Sequence, residues 1–270
     1  MPKKLIISID GGGIRGVIPL VILRQLQYQL PVPLTTLTAA WYGTSTGALI
    51  AAGILIQQTP DFNQAIQNVL DLYEFRSSSS ANALGSSNPA RALHKILEEN
   101  FSEADFKDLA QLHVVSCCQP DYDITVFNHA SGVRLVDSLK ATTAVPGLFD
   151  AIHIGDHYYV DGFIKAKNPA LLALENETQN SDLILVSLGT GILRTVDETE
   201  LQVEATHRAC QKLAEQNKFH YFRFNPTLEH AADSMLDTRL KNIFGLKKDA
   251  ELYLQRKKEQ LDKLVQLITA

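Results

Sequence analysis

Three cysteines in 270 residues, Cys117, Cys118 and Cys210, are too few for a disulfide framework. Neighbours on a strand point to opposite faces, so Cys117 and Cys118 cannot bridge to each other there. All three read as inert core thiols, which suits a reducing compartment. Long apolar runs are missing as well. No stretch approaches the ~18 apolar residues that a membrane span requires. Met1-Pro2-Lys3-Lys4 resembles the start of a signal peptide, but the apolar run behind it stops at Asp10, short of an h-region. The expectation is a soluble, cytoplasmic protein without a Sec signal.

An excess of positive charge is absent too. The net charge of −5 offers no general attraction to phosphate backbones, which argues against a nucleic acid partner. Any transient membrane contact has to come from local apolar or basic patches. The C-terminal residues 247–263 are one candidate, although acidic residues dilute their basic face and a docked amphipathic helix is the plainer reading. Metal-site spacing is lacking. The eight histidines are scattered, there is no C-x-x-C, and His153 and His157 share a short stretch with no third ligand at a matching spacing. No metal and no cofactor are expected. Gly11, Gly13 and Gly16 fit G-x-G-x-x-G, but a dinucleotide site needs an acidic residue about 20 positions on. None occurs between Asp10 and Asp61.

What is present is enough apolar material, 45% of residues, to bury a sizeable core in one domain over residues 1–270. Residues 5–9 form an apolar run that enters three glycines, and residues 39–42 lead into Gly43-Thr44-Ser45-Thr46-Gly47. Further strands are expected at 112–118, 124–127, 157–160, 183–188 and 220–224. Helices are expected at 17–30, stopped by Pro31 and Pro33, and at 48–57, 169–176, 200–217 and 250–268. This alternation implies an α/β sheet with helices on both faces. Residues 76–88 contain six serines and read as a mobile loop that gates the site mouth.

Two motifs carry chemistry. G-x-S-x-G between a strand and a helix holds a serine hydroxyl on a sharp exposed turn, with the helix N-terminus favouring developing negative charge. Its alternative is a plain strand–helix turn. Asp10-Gly11-Gly12-Gly13-Ile14-Arg15-Gly16 can aim several backbone N–H groups at one point, as an oxyanion hole requires.

Together the two motifs resemble the patatin-like phospholipases, and the resemblance continues along nearly the whole chain. Ala141-Thr142-Thr143-Ala144-Val145-Pro146-Gly147-Leu148-Phe149 is similar to the family's A-S-x-A-x-P-x-x-F segment. Tyr159-Val160-Asp161-Gly162 with Asn168-Pro169 is similar to its D-G…N-x-P block, and Leu185-Val186-Ser187-Leu188-Gly189-Thr190-Gly191 to its S-L-G-T-G strand. Tyr221-Phe222-Arg223-Phe224 and the terminal helix also look like the family's C-terminal part. The resemblance implies a three-layer α/β sandwich with a mostly parallel central sheet. It implies Ser45 as nucleophile, Asp161 as general base, and Gly11, Gly12 and Gly13 as the oxyanion hole. Arg15 either adds positive charge or braces the loop. The implied substrates are phospholipids or other acyl esters. Phe163 departs from the Gly or Ala usual after Asp-Gly, and a catalytically silent lipid- or partner-binding protein is the alternative it raises. A Ser–Asp–His triad of the α/β-hydrolase type fits poorly, since Ser45 follows only the second strand.

Overall fold

The computed structural model describes residues 3–57, 61–78, 89–177, 182–195, 197–217 and 219–270. The chain opens with β1 (Lys4–Ile9), a 3₁₀ turn at Gly13–Gly16, α1 (Val17–Gln27) and the short α2 (Leu34–Leu37). Next come β2 (Thr38–Thr44), α3 (Thr46–Leu55), α4 (Phe62–Ser78) and α5 (Pro89–Phe101). The middle of the chain supplies β3 (Leu112–Cys118), β4 (Asp123–Phe127), α6 (Leu135–Thr142), β5 (Ile152–Ile154) and β6 (His157–Asp161). The remainder is α7 (Phe163–Ala166), α8 (Ala170–Glu177), β7 (Leu183–Leu188), α9 (Glu198–Asn217), β8 (His220–Phe224), α10 (Leu240–Arg256) and α11 (Lys258–Thr269).

The sheet runs β5-β6-β3-β2-β1-β7-β8, with β4 paired to β3 off this path. Every pairing among β3, β2, β1, β7 and β8 is parallel, while β4, β5 and β6 pair antiparallel. The parallel strands are apolar almost end to end because helices cover both of their faces. Their side chains divide with the period of two that a pleat dictates. Leu5, Ile7 and Ile9 point into a core shared with α1, α3, α4, α6 and α10. Ile6, between them, joins Ala40, Tyr42 and Leu185 against Ala170, Ala173 and Leu174 of α8 and Cys210 of α9. The result is the three-layer α/β sandwich with a mostly parallel sheet.

Differences from the sequence reading are local. The single helix expected over 250–268 is two helices, α10 and α11, broken at Lys257 (φ −106°, ψ 20°). β5, only three residues long, pairs with β6 across a turn that holds Gly155 at φ +60°. Of the serine-rich stretch at 76–88, the first three residues continue α4 as helix, and residues 79–88 lie outside the described residues. Among the described residues no helix is long and apolar enough to cross a membrane.

Candidate active site

β2 ends at Thr44 and α3 begins at Thr46, so Ser45 alone makes the turn, with φ 54° and ψ −124°. A non-glycine residue seldom adopts a positive φ, and one that does is held there by its surroundings. Three hydrogen bonds supply that hold. The Ser45 N–H donates to Thr142 Oγ1 at 2.8 Å, the Thr142 hydroxyl donates onward to the Val115 carbonyl, and Thr44 Oγ1 donates to the Ala166 carbonyl at 2.7 Å. Gly47 lets α3 fold back against β1: a Cβ there would lie 2.2 Å from the Ile9 carbonyl oxygen.

Asp161 arrives from the opposite direction. Along one edge of β3, β2 pairs parallel as far as Thr44 opposite Val115. β6 then takes over antiparallel, beginning with Asp161 opposite Ser116. β4 occupies the other edge of β3, so β2 and β6 meet end to end and their C-terminal residues adjoin. In a mostly parallel sheet, Asp161 would be expected to stand at the end of a strand running alongside that of Ser45. The structure brings it in on an antiparallel one, and that reversal is what points the two strand ends at each other.

The Asp161 carboxyl is fully buried, and burial pushes its pKa from 3.8 up to about 7. The Ser45 hydroxyl and the Phe163 N–H both pull the value back down. Only the Phe163 N–H closes a well-formed bond, 2.9 Å to Oδ1. Oδ2 is buried without a well-aligned partner among the described residues. The Ser45 hydroxyl is thus close enough to act on the carboxyl without a well-formed bond to it.

The glycine loop is fastened from below. Arg223 donates to both Asp10 oxygens, at 2.8 and 2.5 Å, and to Ser187 Oγ at 2.8 Å. Thr190 Oγ1 donates to the Gly11 carbonyl at 2.8 Å. The Gly11 N–H donates to the Lys167 carbonyl at 2.9 Å, so that group is already engaged. The Gly12 and Gly13 N–H groups have no acceptor among the described residues, which leaves them available to an anion. Gly13 sits at φ +56°, and a Cβ there would lie 2.4 Å from the Met235 carbonyl oxygen. Arg15 is buried, with Nε 3.4 Å from the Gly12 carbonyl and Nη1 unpartnered among the described residues. The first contact is that of a brace. Burial lowers its pKa, and the carboxylates of Glu200, Asp233 and Asp197 oppose that shift.

These groups open into one cavity of about 570 Å³, inside the size range of small-molecule sites. Ser45, Asp161, Gly11, Gly12, Gly13 and Arg15 all line it. Its walls are mostly apolar, from Leu49, Val69, Leu93, Leu97 and Phe101 on one set of helices to Leu148 and Phe163 near the carboxylate. No histidine lines it among the described residues.

A scan of family models matches residues 7–174 to "Patatin-like phospholipase". The chain belongs to the patatin-like phospholipase family. Among curated relatives, Patatin-like protein 6 of Arabidopsis thaliana is 24% identical over 87% of this chain and 54% of its own length. Human calcium-independent phospholipase A2-gamma is 24% identical over 98% of this chain and 40% of its own length. The cUMP-AMP-activated phospholipase of Escherichia coli is 26% identical over 69% of this chain and 64% of its own length. The chain thus spans between 40% and 64% of these three patatin-like relatives. In fold it is similar to human GIVD cytosolic phospholipase A2, with a TM-score of 0.57 at 9% identity over 99% of this chain and 60% of that one.

Sequence reasoning missed the side chains that hold this patatin-like site from outside its motifs. Lys167 and Glu200 form a buried ion pair that ties α9 to the segment after Asp161. Thr142 was visible inside a motif, but nothing in the motif announced a bond to the Ser45 backbone.

Proposed function

We propose that residues 1–270 act as a serine acyl hydrolase that cleaves fatty-acyl esters of phospholipids or lysophospholipids, with Ser45 as nucleophile and Asp161 as general base. The observation that carries this reading is the end-to-end meeting of β2 and β6, which seats a buried carboxylate beside a strained serine. A base with a pKa near 7 matches the working pH of proton transfer far better than an ordinary aspartate does.

The chemistry follows in two halves. Asp161 takes the Ser45 proton as the alkoxide attacks the ester carbonyl, and the Gly12 and Gly13 N–H groups receive the oxyanion. Collapse of the tetrahedral intermediate breaks the ester C–O bond, and protonated Asp161 returns its proton to the departing alcohol. A water then enters, gives its proton to Asp161 and attacks the acyl-enzyme; the acyl–Ser45 bond breaks, Asp161 returns the proton to Ser45 Oγ, and the fatty acid leaves. The apolar walls suit a fatty chain. The names of the phospholipase relatives point to the same substrate class.

The test is fluorophosphonate labelling together with turnover of a short p-nitrophenyl ester. Labelling and turnover should both vanish in Ser45→Ala. Labelling that survives places the nucleophile elsewhere, and an intact protein with neither property is the silent binding protein. Mass spectrometry of products from mixed phospholipids and lysophospholipids then assigns the substrate.

A further inference from the structure

We infer that residues 236–248, the exposed face at the start of α10, dock the protein on an anionic phospholipid surface with the pocket mouth against it. This rests on the lipid acyl hydrolase reading above. Leu240 and Phe244 stand four residues apart on α10, and Lys248 follows at the same spacing, so the three project from one helix face. The opposite face carries Ile243, Leu246, Ala250 and Leu254 and is buried in the core. Phe244 is 61% exposed, an unusual position for a phenylalanine without an outside partner. Leu236 and Leu240 are exposed beside it.

The patch continues into the site. Met235, Leu236 and Thr238 line the catalytic cavity, and the Met235 carbonyl accepts the Ile14 N–H at 3.0 Å directly after the glycine loop. Leu148, also exposed, lines the same cavity. A lipid leaving a bilayer along this face would enter the pocket without crossing water.

Charge selects the partner. In a chain of net charge −5, residues 236–248 contain Arg239, Lys241, Lys247 and Lys248 against one acid, Asp237, which is paired with Arg239 and leaves the lysines as the excess charge. Asp249, the next residue, is turned inward to accept the Glu229, His230 and Ala231 N–H groups. Lys241 and Lys248 have no acidic partner among the described residues and stay exposed. Lysine is depleted at the centres of protein interfaces. Lysine beside leucine and phenylalanine is the composition of a helix lying on an anionic membrane.

The test is co-sedimentation with phosphatidylcholine vesicles, with and without phosphatidylglycerol, in a Ser45→Ala background so that catalysis does not enter. Binding should require phosphatidylglycerol and weaken as salt rises. The Leu240→Ser/Phe244→Ser variant should bind roughly tenfold or more weakly, and Lys241→Gln/Lys248→Gln about fivefold more weakly per lysine. With Ser45 restored, both variants should hydrolyse a soluble short ester as the parent does. Unaltered vesicle binding in both variants overturns the inference. So does a change in oligomeric state with vesicle binding intact, which would make the patch a protein contact. Ester turnover without vesicle binding sinks the docking face alone. Vesicle binding that depends on Phe244 without any turnover sinks the hydrolase reading alone.

Discussion

Thr44 and Asp161 occupy consecutive rungs on one edge of β3, opposite Val115 and Ser116, although 117 residues of chain separate them. Ser45 follows Thr44 directly, so the sheet itself sets the approach of hydroxyl and carboxylate. Neither group depends on a loop for its position. That rigidity makes the electrostatics of Asp161 readable in both activity and stability.

In the proposed mechanism Asp161 works only when ionised, and burial has raised its pKa from 3.8 to about 7. The kcat/KM for a soluble ester should climb about tenfold per pH unit below 7 and level off above it. Asp161→Asn should lower kcat by roughly 10²–10⁴. His→Ala changes at His129, His153, His157, His207, His220 and His230 should each leave most activity. One histidine variant as damaged as Asp161→Asn, and still folded, would establish a triad instead.

For stability, the sign is opposite to that of a salt-bridged aspartate. A raised pKa means that the folded state prefers the neutral carboxyl. The stabilisation is complete below the ordinary value of 3.8 and is lost as pH rises through about 7. Asp161→Asn has no charge to bury, so above pH 7 it should outlast the parent in urea, by on the order of a few kcal/mol. At pH 4 the two should be nearly equal. A parent that is the more stable of the two at pH 8 would mean the carboxylate is better solvated than its burial indicates.

Much of this was legible in the sequence, and the failures have a common cause. The strands at 112–118, 183–188 and 220–224 coincide with the structure because buried strands are continuous apolar runs with sharp polar ends. The glycine loop, Ser45 and Asp161 each sit in a compact local motif. What stayed hidden is long-range. Lys167 meets Glu200 across 33 residues, and the Ser45 N–H meets Thr142 across 97, which leaves no periodicity to find. β5 is too short to show alternation, and the charges around Lys257 mask the break between α10 and α11.

The buried pair of Arg223 and Asp10 gives a prediction about folding. Asp10 holds the guanidinium charged and pushes its pKa further up, and the pair pins the strand end that leads into Gly11. Arg223→Met leaves a buried carboxylate unpaired and should cost about 3–5 kcal/mol in denaturant unfolding. Removing both charges in Asp10→Leu/Arg223→Met should recover most of that loss. A double variant as unstable as the single one would show that the pair matters through its hydrogen bonds to Ser187 and the backbone.

Ser45 should be a site where activity is held at the expense of stability. Its φ of 54° belongs to glycine territory. Ser45→Gly should abolish turnover yet raise stability by about 1 kcal/mol, the strain relieved less the added chain entropy of glycine. In a chain of this size that is a rise in Tm of roughly 2 °C. Ser45→Ala keeps the strain and should show no such rise. Equal melting temperatures for the two variants would mean that Thr142 and its neighbours hold the turn without strain.

Phe163 should control how dry the carboxylate is. Its N–H donates to Asp161 Oδ1, a bond that any residue but proline could make, while its half-buried ring lines the cavity beside the same carboxyl. Burial is the largest cause of the raised Asp161 pKa, so removing the ring should let water in and move that pKa back toward 3.8. In Phe163→Ala the midpoint of the kcat/KM profile should therefore fall below 7, with activity at pH 5 rising relative to the plateau. The plateau itself should drop, because a base of lower pKa takes the serine proton less readily. Bulkier acyl groups should gain on small ones as the cavity widens. An unmoved midpoint with the same change in acyl preference would show that the ring shapes the pocket, while the strands around Asp161 alone keep it dry.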